Sequence, residues 1–92
     1  MIEHDGEVLR VQGPVTLDTV PGLLESIGAA VPAGVRRIDL SGATEVDSSA
    51  VAFALELQRR SGGAMSVQNA PVPMRNLARL YGVSSLLGLD TE

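Results

Sequence analysis

The sequence predicts an α/β domain in which a mixed four-stranded sheet carries its helices mainly on one face. Three observations lead there. Extended and helical patterns alternate in the order β-β-α-β-α-β-α, with no internal repeat or linker between them. The apolar share is 45%, drawn mostly from Leu, Val and Ala with Phe53 and Tyr81 as the only aromatic residues, so the core must be aliphatic. The 92 residues leave room for one domain, residues 1–92, able to bury roughly 60 to 65% of its unfolded surface.

Residues Glu7 to Val11 alternate polar and apolar as a half-buried strand does, ahead of punctuation at Gly13-Pro14. Val15 and Leu17 then form a short extended piece expected to pair with that first strand. Asp18-Thr19 suits a helix cap with Pro21 in the first turn. Val20, Leu23, Leu24, Ile27 and Val31 follow at helical spacing, up to a stop at Pro32-Ala33-Gly34. Residues 35 to 40 read as a strand and 41 to 47 as a loop. A second helix is expected from Ser48 or Ser49 to Arg60, ending at Ser61-Gly62-Gly63. A strand at 64 to 68 and a third helix marked by Met74, Leu77, Leu80 and Tyr81 come next. Val83 to Leu89 read as a last helical turn closing the core with Leu86, Leu87 and Leu89.

Composition excludes several classes of function. Without cysteine there is no disulfide framework, zinc-thiolate site or thiol nucleophile, and a reducing compartment fits. The opening residues, MIEHDGEV, are acidic and lack an apolar h-region, so neither a leader nor membrane insertion is expected. A net charge of -4 with two aromatic residues argues against a nucleic-acid surface. His4, the only histidine, falls in a segment expected to fray, and no Ser-His-Asp set, phosphate loop or zinc spacing can be assembled. Asp39 and Asp47 flank the loop but lack the further oxygen ligands that a metal site needs, so no metal or cofactor is expected.

The information is concentrated in residues 38 to 60, IDLSGATEVDSSAVAFALELQRR. With Asp47 as cap, a turn of 100° per residue puts Ala50, Val51, Ala54, Leu55 and Leu57 toward the sheet. Ser49, Ala52, Glu56, Arg59 and Arg60 fall on the opposite side, with Phe53 on its flank. Helix capping alone explains Asp47, Ser48 and Ser49. The same helix start also suits an anion or a partner's carboxylate, and a phosphate on either serine would add about -1.5 to -2 charges there.

The run IDLSGATEVDSSAVAFALEL resembles the signature of STAS domains, shared by anti-sigma factor antagonists and by small subunits of lipid-transport ABC systems. EVLRVQGPVTLDTVPGLLESI is similar to the opening hairpin and first helix of that family, and MRNLARLYGVSSLLGL to its closing helices. The resemblance implies a STAS fold and two competing functions. In the antagonists a partner kinase phosphorylates the second serine, which by likeness is Ser49. In the Mla-type subunits the hydroxyl residue after the aspartate matters, which is Ser48, and the subunit binds the transporter's ATPase. The closing run Leu77-Ala78-Arg79-Leu80-Tyr81, the short chain, and Ala50 where antagonists carry glycine favour the second branch.

The expectation is therefore a cytoplasmic, non-catalytic subunit held at the inner membrane by an ABC ATPase and supporting phospholipid transport. Its contacts would be Ser48, Ser49, Ala52, Phe53, Glu56 and Tyr81, and a homodimer through exposed apolar residues is compatible with the same sequence. The alternative is an anti-sigma factor antagonist switched by a serine kinase at Ser49.

Overall fold

The computed structural model describes residues 2–89; the expected domain limits at residues 1 and 90 to 92 lie outside the described residues. Strands β1 (Ile2–Asp5), β2 (Val8–Val11), β4 (Arg37–Asp39) and β6 (Ser66–Gln68) form the main sheet in the order β1-β2-β4-β6. A second, two-stranded sheet joins β3 (Gly13–Val15) to β5 (Ala43–Val46). The helices are α1 (Val20–Ile27), α2 (Ser48–Arg60) and α3 (Val72–Leu80).

β1 runs antiparallel to β2, whereas β2, β4 and β6 are mutually parallel. Parallel neighbours need crossovers, which α1 and α2 supply. Because the strand order advances in one direction, crossovers of the same hand place both helices on one face. α2 is the central helix and packs against both α1 and α3.

Alternation along the strands sorts the two faces. Leu9, Val11, Ile38, Leu40 and Val67 are buried beneath the helices. Arg10, Asp39 and Gln68, aligned in register across β2, β4 and β6, form part of a polar row on the other face. Arg10 extends it by pairing with Asp5 at 2.8 Å.

Several elements differ from their expected form. The N-terminal residues Ile2–Asp5 are an edge strand, turned back through Gly6 at φ 59°, where His4 Nε2 lies 3.0 Å from the Gly6 carbonyl oxygen. Asp5-Gly6 between two extended segments is the hairpin signal that accounts for it. Val15 pairs with Val46 of β5 rather than with β2, and the expected loop at 41 to 47 therefore contains a strand. That partner is about 30 positions away, beyond the reach of local pattern. α1 stops at Gly28, whose φ of 88° ends the helix before the proline-containing segment. Residues 84 to 88 form the expected closing turn, the Leu87 N–H donating to the Val83 carbonyl at 3.1 Å, with Leu87 and Leu89 buried, but Leu86, expected to close the core, is exposed.

The largest correction concerns Phe53, which is 0% exposed. Ala50, Phe53, Ala54 and Leu57 recur at i, i+3, i+4 and i+7, and this stripe, flanked by Val51, is the face that meets the sheet. Leu55, expected to point inward, is half-buried at the margin. The only large ring on the helix is thus spent on the core, and Phe53→Ala is expected to cost about 3 to 5 kcal/mol in urea denaturation. At Gly88, φ is 74° and an added Cβ would lie 2.8 Å from Ser66 Cβ. Gly88→Ala is expected to lower stability by about 1 to 3 kcal/mol in the same assay, through backbone strain and that contact.

Candidate functional site

The start of α2 stands at the end of the domain where the parallel strands finish, the usual position for a binding surface in such sheets. Asp47 fixes it. Its backbone is extended, and Oδ1 accepts the Ser49 N–H at 2.8 Å, which caps the helix as expected. Oδ2 accepts the Leu17 N–H at 3.1 Å. The Leu17 bond first, then those from the Ser49 N–H and hydroxyl, hold the Asp47 carboxyl below the usual carboxylate range against the opposing effect of desolvation. A single side chain thereby ties the loop after β3 to the first turn of α2.

Around this cap, Ser48 and Ala52 are exposed, while Ser49 is half-buried with its hydroxyl turned to Asp47. Leu17 is 73% exposed, although its alternation with Val15 predicts an inward side chain. The strand has ended by then. Thr19 Oγ1 accepts the Thr16 N–H at 2.9 Å and lies 2.9 Å from the Pro14 carbonyl, its acceptor, so this local turn redirects the chain. Thr16-x-x-Thr19 was the available signal. On α3, Val72 is 63% exposed at the same end, beside a groove lined by Ala43, Val46, Pro71 and Pro73. The burial of Met74 and Ala78 fixes the phase that turns Val72 outward.

The predicted contact residues therefore divide. Ser48 and Ala52 share the surface at the helix start with Leu17, Ser49 borders it, and Phe53 lies beneath it. Tyr81 is 53% exposed but belongs to the opposite end, because α2 and α3 both run back from the finishing ends of the strands that precede them. Gln58, near the end of α2, donates to the Leu86 carbonyl at 2.7 Å, which places the residues after Tyr81 at that far end as well.

Glu56 is half-buried and bonded within the fold. It accepts from Arg59 at 2.9 and 2.7 Å and from Arg60 at 2.7 Å. At the end of α1, Arg60 also donates at 3.1 Å to the Leu24 carbonyl, which already accepts the Gly28 N–H, and at 2.7 Å to the Gly28 carbonyl. The Arg59 hydrogen bonds, then that of Arg60, hold the Glu56 carboxyl at about 2.

Asp39, at the end of β4, loses some stability as an anion through burial, but bonds from Asn69 and from Ser41 outweigh it and keep its carboxyl below the usual range. The Asn69 amide lies 3.0 Å away and the Ser41 N–H 2.9 Å. Among the described residues no group of three His, Cys, Asp or Glu side chains could hold a metal ion.

A mixed sheet, helices on one face and an Asp-Ser-Ser helix start define a small α/β domain. Residues 1–88 match the family model described as Mlab, STAS domain, and the chain belongs to the STAS-domain family. No curated protein matches the chain. Among the described residues no helix is long and apolar enough to cross a membrane.

The Glu56 fork gives a pH prediction. Its folded value of about 2 lies below the ordinary 4.5, so the fork stabilises the fold above pH 4.5 and loses that contribution as the pH falls toward 2. Urea midpoints of the wild type and Glu56→Gln should differ at pH 6 and converge between pH 4 and 2.

Proposed function

We propose that the chain is a non-catalytic STAS subunit that binds and supports the ATPase of an ABC transporter for phospholipid between the membranes of a Gram-negative envelope. The observation that carries this reading is the exposed Ser48 beside Leu17 and Ala52, on a helix start fixed by Asp47. The match to the Mlab-type family model supports the transport branch. The protein acts from the cytoplasm and reaches the inner membrane through its partner. Binding rests on surface complementarity, with Leu17 as apolar contact and the Ser48 hydroxyl as donor or acceptor at the positive end of α2.

The antagonist reading is retained for one structural reason. A phosphate on Ser49 would stand against the Asp47 carboxylate that the Ser49 hydroxyl now touches, and like charges at that distance would disturb the cap. The two readings separate on the partner and on the residue modified.

The test is co-purification of the chain with the ATPase of a phospholipid-transport system from the same genome. Recovery should fall at least about ten-fold for Leu17→Asp and for Ser48→Glu, with far-UV circular dichroism unchanged because both side chains are exposed. Undiminished recovery in both variants would remove this surface. Absence of a complex, with Ser49 phosphorylated by a serine kinase and an anti-sigma factor captured, would transfer the assignment to the antagonist branch.

A further inference from the structure

At the end of α2 away from Ser48, a cavity of about 250 Å³ opens between the last helical turn and the segment joining α1 to β4. Its walls are of two kinds. Val31, Pro32 and Val35 are apolar, while Arg36 and Arg60 carry charge. Arg60 is half-buried and fixed by Nε on Glu56 and Nη1 on the Leu24 and Gly28 carbonyls, which leaves Nη2 without a bond among the described residues. It is a donor held in place before any ligand arrives.

Arg36 is exposed, and its side chain has no hydrogen bond or ion pair among the described residues. Its backbone is nevertheless anchored, the N–H donating to the Glu7 carbonyl at 2.8 Å. A residue with an unpaired guanidinium thus lines the same cavity as a second whose guanidinium is immobilised. Planar guanidinium donors match the oxygens of phosphate, and two of them on one cavity favour an anion between them.

We propose that this cavity binds a small phosphate monoester, its oxyanion between Arg36 and Arg60 and its short apolar group against Val31, Pro32 and Val35. The volume, below the roughly 300 to 1,000 Å³ of ordinary ligand sites, limits the ligand to a few heavy atoms beyond the phosphate. The inference is independent of the docking reading, since the two sites stand at opposite ends of a helix of 13 residues, roughly 18 Å apart along its axis.

The experiment is a two-dimensional amide NMR titration of the full chain with mono-n-butyl phosphate, against sodium chloride at equal ionic strength. Shifts should concentrate at residues 31 to 36 and 60 to 64, and Arg36→Gln should weaken binding at least about ten-fold. Ala64→Leu, which narrows the cavity, should weaken it as well. Arg37→Gln removes the same charge from the opposite face of the sheet, next to buried Ile38, and should leave the affinity unchanged. Absence of shifts, their reproduction by chloride, or equal losses from Arg37→Gln and Arg36→Gln would overturn the site.

Discussion

The carboxylate of Asp47 is the constraint on which the Ser48 end of the molecule depends. Its two oxygens serve different elements, one capping α2 through Ser49 and the other holding the backbone of Leu17 beyond β3. β5 leads directly into Asp47 and pairs with β3, so strand pairing and side-chain bonds close a small circuit. Within it the backbone at Leu17 and at the first turn of α2 is held in place. An exposed apolar side chain and an exposed hydroxyl thereby stand on backbone that the fold already fixes.

The opposite end of α2 is fastened by a second charged device. Glu56 orients Arg60, and Arg60 reaches the Leu24 and Gly28 carbonyls at the end of α1. Asp47 thus ties α2 to the segment before α1, and Arg60 ties it to the segment after. Between these clasps the apolar stripe of Ala50, Phe53, Ala54 and Leu57 meets the sheet. Polar bonds set the position of the helix along its axis, while burial sets its rotation. This division leaves Ser48, Ala52 and Arg59 outward by geometry.

The same architecture separates two surfaces that the sequence had joined. Ser48 and Tyr81 are both expected among the contact residues, yet α2 and α3 run in the same direction and hold them at opposite ends. Exposed Val72, at the beginning of α3, is the residue that the fold brings toward the Ser48 end. Elsewhere, Arg36 and Arg60 lie 24 positions apart and converge only because α2 ends where the α1–β4 segment passes.

By itself, the sequence determined the α/β class, the limits of α2, the Asp47 cap and the exposure of Ser48, because each follows from signals within one or two turns of chain. Capping chemistry and hydrophobic periodicity are local. Tertiary structure decided the rest. Phe53 turned inward because the sheet selects, among overlapping apolar stripes on a helix rich in small residues, the one that buries the largest ring. β5 formed because β3 was available some 30 residues earlier, and Leu17 turned outward because the Thr19 turn and Asp47 together outweighed its strand-like alternation. Such outcomes depend on pairings between distant segments, whose energies do not exist until the chain is folded.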